Sequence, residues 1–171
     1  MKRAAILALS ALLLAGSASL PAAAAGTDSP AWSQAFDPAR NPAADLAEAV
    51  KLAQASGRRI LVDVGGDWCI WCHLLDGTFE VNPDLTALRD ANYVLLKVHY
   101  DKKQNPNTEF LSRWPKPAGY PHLFVLDGDG SLLHSQNTGE LELPKEQGKG
   151  HDPAAIRAFL EKWAPDTKSG A

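Results

Sequence analysis

Apolar positions change their spacing several times along the chain, and each change predicts an element. In residues 42–56, Leu46, Val50 and Ala53 fall near one face of a helix, which Gly57 is placed to stop. The run Arg59-Ile60-Leu61-Val62-Asp63-Val64 reads as a buried strand ended by Gly65-Gly66. A helix is predicted from Cys69, weakening around Gly77, and a short one from Pro83 to Asp90. Tyr93 to Tyr100 reads as a second buried strand, Pro106 to Trp114 as a helix, and residues 115–119 as a stiff loop. His122 to Leu126 and Ser131 to Gln136 form a hairpin around Asp127-Gly128-Asp129-Gly130. A polar loop, 138–151, leads to a last helix from Pro153 to Trp163.

One punctuation mark recurs. Asn41-Pro42, Asn82-Pro83, Asn105-Pro106 and Asp152-Pro153 each precede a helical stretch. Asn and Asp accept a bond from a free N–H of the first turn, and proline fits the first helical position. Strands alternating with helices, then a hairpin and a helix, predict an α/β domain: a central mixed sheet with helices on both faces.

The 171 residues suit one domain of ordinary size, with its own core. Lys2 and Arg3, the apolar run Ile6 to Leu14, then Pro21 and Ala22 to Ala25 have the layout of a signal peptide, with a cut expected after Ala25. The apolar run is short for a membrane anchor, and a lipid anchor is excluded because no cysteine lies there. The expected division is a signal peptide over 1–25, an irregular leader over 26–40, a domain over 41–166 and a flexible tail over 167–171. Losing Lys2 and Arg3 takes the formal net charge from −3 to −5. An acidic chain with no basic cluster argues against nucleic acid and against anionic membrane surfaces. No other segment is long and apolar enough to cross a membrane, so no stable membrane insertion is expected after cleavage. The expected compartment is periplasmic or otherwise exported.

Only two cysteines exist, Cys69 and Cys72. Exported proteins ordinarily use cysteines as structural bridges, and a lone pair three positions apart is instead chemical or an attachment point. Two residues between cysteines equal one helical turn. Cys69 then lies at a helix N-terminus, where free N–H groups stabilise a thiolate, and Cys72 lies one turn deeper. Cys69 to His73 is also a C-x-x-C-H string, the attachment signature of c-type haem, with His73 as axial ligand. The single methionine is Met1, so the sixth ligand would have to be another histidine. A structural zinc site lacks its second half.

The residues Leu61-Val62-Asp63-Val64 followed by Trp68-Cys69-Ile70-Trp71-Cys72 resemble the active-site strand and loop of the thioredoxin-like family. Lys97-Val98-His99-Tyr100-Asp101 with Asn105-Pro106, and Gly119-Tyr120-Pro121, fall where that family has its next strand and its cis-proline. The resemblance covers about residues 45–164 and is nearest the subgroup that includes the C-terminal domain of DsbD-type transporters. It implies a thiol–disulfide oxidoreductase with no cofactor and no metal. Its partners are substrate proteins with disulfides or thiols, and a membrane electron donor if the protein is a reductant. Cys69 is then the nucleophile and Cys72 the resolving thiol, the two forming a redox-active disulfide. Asp63 is the buried acid that exchanges a proton with Cys72, and Lys97 its neighbour. Trp68, Trp71, Tyr120 and Pro121 line the substrate groove. A non-catalytic binding module on the same fold is the third reading. The pair Ile70-Trp71 replaces the family's Gly-Pro, so the reduction potential does not carry over. With Asp67 nearby and no cation between the cysteines, the thiolate is less stabilised, which favours a reductant. Trp32, Trp114 and Trp163 read as packing residues, and His73, His99, His122, His134 and His151 receive no role.

Overall fold

The structure is a computed structural model that describes residues 29–166. The signal peptide and the tail expected from the sequence lie outside those residues. The elements are α1 (Ala31–Gln34), α2 (Pro42–Ser56), β1 (Arg59–Gly65), α3 (Ile70–Val81), α4 (Pro83–Asn92), β2 (Tyr93–His99), α5 (Thr108–Leu111), β3 (His122–Leu126), β4 (Leu132–Asn137) and α6 (Pro153–Lys162). Two 3₁₀ turns, Thr138–Leu141 and Lys145–Gln147, interrupt the polar loop.

The four strands form one mixed sheet in the order β2-β1-β3-β4. β1 runs parallel to β2 and antiparallel to β3, and β3 pairs antiparallel with β4. Side chains alternate across a strand, so the central strands feed two cores. Ile60, Val62, Val64, Val94, Leu96, Val98, Phe124 and Leu126 pack with Leu46, Ala49 and Ala53 of α2. Leu61, Leu123 and Val125 pack on the other face with Leu75 and Phe79 of α3, Leu85 of α4, and Ile156 and Leu160 of α6. This is the α/β sheet with two covered faces that the pattern predicts.

The punctuation works at two of its four positions. Asn41 accepts bonds from the N–H groups of Ala43 and Ala44, and Asp152 accepts one from Ala154. Asn82 instead donates its side-chain amide to the Thr78 carbonyl 2.7 Å away, closing α3 rather than capping α4. Asn105 gives no cap at all: it and Asn107 sit in the left-handed region (φ 44° and 46°), and the helix starts only at Thr108. The Asn105 amide is spent on the carbonyl of Pro38. The predicted helix over 106–114 therefore shrinks to four residues. Gly77 does not weaken α3, which continues to Val81 because Leu75 and Phe79 on either side of it are buried.

The loop over 138–151 is folded onto the domain. Leu141 is buried in the second core, and Leu143 and Asp152 donate backbone bonds to Gly150 and Leu141. The segment expected to be an irregular leader also packs. Trp32 enters the first core and donates its indole N–H to Glu48, and Phe36 is buried near the cysteines. Among the described residues, no helix is long and apolar enough to cross a membrane.

Candidate active site

The turn after β1 delivers the cysteines. Gly65 ends the strand, and Cys69 is the N-cap of α3, its sulfur accepting a bond from the Cys72 N–H at 3.1 Å. Cys72 follows one turn on, and the two sulfurs form a disulfide. Cys69 is 3% exposed and Cys72 1%. A Cβ on Gly65 would come 2.5 Å from Cys72 Sγ, so only glycine lets that sulfur rest on the strand. Gly66 is constrained in the same way by the Trp68 indole and the Tyr100 carbonyl.

Asp63 stands two residues before Gly65 and shares its face of β1. It is buried, and its Oδ1 has no hydrogen-bond partner. Burial pushes its carboxyl up to about 7, against the pull of the Lys97 charge. Lys97 is its cross-strand neighbour on β2, as the resemblance implies. The lysine's ammonium is bonded elsewhere, however: both carboxylate oxygens of Asp76 lie 2.6 Å from Nζ. Asp76 is one turn beyond Cys72 on α3, and reading the sequence missed it. Its pairing spans 21 residues between a helix and a strand, and no local spacing signals it.

An aromatic rim surrounds the sulfurs. The Tyr120–Pro121 peptide is cis. Tyr120 stacks on Tyr100 with ring centroids 4.5 Å apart and meets the edge of Trp68 at 5.8 Å. The Trp68 indole donates to the Tyr100 carbonyl at 2.7 Å, fixing a ring that is otherwise half exposed. Tyr120 also packs against the cluster of Phe36, Cys69 and Cys72, as does Trp71. Burial, then the Tyr100 hydroxyl, raises the Tyr120 phenol above its ordinary value.

The loop over 138–151 reaches this rim. Thr138 donates its hydroxyl to the Pro121 carbonyl at 2.5 Å, tying the loop to the cis-proline. His151 meets the Trp71 ring edge-on at 5.7 Å, and its burial lowers its proton affinity. His122, next to the cis-proline, points to the opposite face and bonds Ser135, and burial holds it down at about 4. His73, by contrast, is exposed, with Nε2 2.8 Å from the Asp67 carbonyl. Phe36 and His151 were both missed. For Phe36 no local spacing gave a signal: it lies beyond the end of α1, after an extended Ala35, and meets the cysteines only through the tertiary fold.

Residues 41–128 match the family described as thioredoxin-like. A thiol:disulfide interchange protein DsbD of Pseudomonas fluorescens is 33% identical over 131 residues, which are 75% of this chain and 20% of that protein. A DsbD 2 of Pseudomonas aeruginosa is 29% identical, over 74% of this chain and 24% of its own length. The chain thus spans about a fifth to a quarter of these relatives. Among solved structures, a disulphide isomerase from Xylella fastidiosa superposes with a TM-score of 0.62 at 22% identity, covering 74% of this chain and 94% of the other. The oxidised C-terminal domain of DsbD from Neisseria meningitidis gives a TM-score of 0.53 at 16% identity, covering 72% and 96%. Strand order, the placing of the cysteine pair and the family match agree: the chain belongs to the thioredoxin-like family.

Proposed function

We propose that this protein is an exported thiol–disulfide oxidoreductase that reduces disulfides of substrate proteins through Cys69 and Cys72. The observation that carries the reading is a cysteine pair at a helix N-terminus, with Cys72 resting on the strand face that holds a buried, incompletely bonded Asp63. In the reduced protein the Cys69 thiolate attacks one sulfur of a substrate disulfide. A mixed disulfide forms, and the first substrate sulfur leaves as a thiolate and takes a proton from solvent. Cys72 then loses its proton to the Asp63 carboxylate and attacks Cys69 Sγ. The Cys69–Cys72 disulfide closes and the second substrate thiolate departs. Two electrons pass to the substrate, and a donor, read as a membrane protein, restores them.

Reduction is favoured over oxidation because Ile70-Trp71 places no charge between the sulfurs, and the Lys97 ammonium is turned to Asp76. The relatives' name, thiol:disulfide interchange protein, supports the reaction class. The layout of residues 1–25 supports export of a mature domain that begins near the leader. Haem attachment is the weaker reading: both sulfurs are buried under the aromatic rim, and His73 is engaged with Asp67.

The test is reduction of insulin by each variant, with non-reducing gels. Cys72→Ser should trap mixed disulfides with substrate proteins, and Cys69→Ser should trap few and lose activity. Equal trapping by both variants overturns the order of attack. Equilibration with glutathione buffers tests direction: a pair that stays oxidised where glutathione is mostly reduced supports a reductant, and one readily reduced there overturns it.

A further inference from the structure

Residues 31–38 wrap the outer edge of β2. Trp32 is anchored on one face of the sheet and Phe36 on the other. The wrap is tied down at its far end, where the Pro38 carbonyl accepts the Asn105 amide and Arg40 grips Asp45. Covering an edge strand is reason enough for such a strap, but the place of Phe36 is specific. Its ring belongs to one buried cluster with Cys69 and Cys72. A Cβ on Gly65 would meet Phe36 Cζ at 3.1 Å as well as Cys72 Sγ, so ring and sulfur converge over one glycine. The Lys97 ammonium lies 4.6 Å from the centre of the same ring and is bonded to Asp76.

We infer that Phe36 is a positioning residue for thiol exchange: its ring closes the β2 side of the compartment shared by Cys72, Asp63 and Lys97, keeping water from the carboxyl that receives the Cys72 proton. The inference rests on the proposed function. The charged and titratable groups around Asp63 are Lys97 from β2, Asp76 and Cys72 from α3, and Arg89 from α4, while β3 presents the apolar Leu123. Leu123 covers the carboxyl from the β3 side, and the Phe36 ring is the apolar group on the β2 side. Removing it leaves a space beside an unpartnered carboxylate oxygen, the Lys97 ammonium and the Cys72 sulfur, polar enough to hold water. A hydrated carboxyl binds its proton less tightly, so the raised affinity of Asp63 is lost with the ring.

The experiment follows the Asp63 carboxyl by carbon-13 NMR over pH 4–9 in the oxidised protein, which needs no turnover. Phe36→Ala should lower its midpoint by about one pH unit or more, and Phe36→Val, which keeps part of the bulk, by a smaller amount. Trp32→Phe loosens the same strap away from the compartment and should leave the midpoint in place. In a Cys69→Ser background, Phe36→Val should raise the rate of Cys72 alkylation by iodoacetamide several-fold. Parental midpoints in the folded Phe36 variants overturn the inference, as does an equal shift in Trp32→Phe. Should Phe36→Ala not fold, the valine variant decides by both readouts. A parental protein that reduces no disulfide defeats the proposed function and leaves the titration result standing.

Discussion

Two aspartates are buried to the same degree and are chemically opposite. Asp45 is 5% exposed and Asp63 3%. Asp45 receives two bonds from the Arg40 guanidinium, at 2.8 and 2.5 Å, at the start of α2. Its charge is matched by a partner that itself reaches solvent. Asp63 has an oxygen with no donor, and the one ammonium beside it is bonded to another carboxylate. Burial alone therefore does not set an acid's proton affinity. Burial without full pairing raises it, which makes the protonated form competitive near neutral pH.

The sharpest way to break this comparison is Asp63→Asn. Insulin reduction at pH 8 should fall about 100-fold, the usual loss for a general base. The parental rate should rise with pH through about 7, where the carboxyl ionises, and the variant should lack that limb. A variant with the parental limb removes Asp63 from the proton path.

The same substitution should move stability the other way. Asp63 has its folded value near 7, above the ordinary 3.8, so the folded state holds the extra proton between them. Its contribution is lost as pH rises through that window. His122, held at about 4, acts in the opposite sense: its contribution is present above 6.5 and is lost as pH falls toward 4. The difference between parent and Asp63→Asn isolates the acid. It should widen from pH 4 to pH 8, with the variant the more stable at pH 8 by a few kcal/mol at most. Urea denaturation at the two pH values checks this, and equal differences at both refute it.

Asp45→Asn should cost about 1 kcal/mol, since Arg40 is partly solvated and the pair is screened. Thermal unfolding reads the loss, and the pH–rate profile should stay in place. The smallest effect is expected from Asp76→Asn. The Asp76 charge raises Asp63 and occupies Lys97, so its removal should shift the rate limb to lower pH by a fraction of a unit. A shift to higher pH contradicts the assigned electrostatics.

Periodicity carried most of the fold because the two cores impose it. Helix α2 has the bounds predicted from Asn41-Pro42 and Gly57, and the four strands fall where apolar runs lie between turn residues. Local signals failed where distant contacts outbid them. Asn105 looks like a cap but bonds Pro38, 67 residues away in the chain. The cysteine pair was legible from its own spacing, and Asp63 and Pro121 from resemblance. Asp76, Phe36 and His151 join the site through tertiary contacts alone. The loop over 138–151 has no hydrophobic period, and only its hold on Pro121 and Trp71 reveals where it lies.

The recess of Cys69 has a kinetic consequence. Cys69 is 3% exposed, while the neighbouring Trp68 and Ile70 are 52% and 64% exposed. Sulfur-to-sulfur displacement needs three sulfurs close to a line, so in the proposed reaction a substrate has to bring its own sulfur down into the recess. A disulfide set flush in a rigid, flat surface fits such a recess poorly. One carried on a narrow projecting loop or a loose tail reaches bottom. In the proposed reaction, encounters would thus be filtered by the local shape and pliability of the incoming chain, before any difference in redox potential has a chance to act.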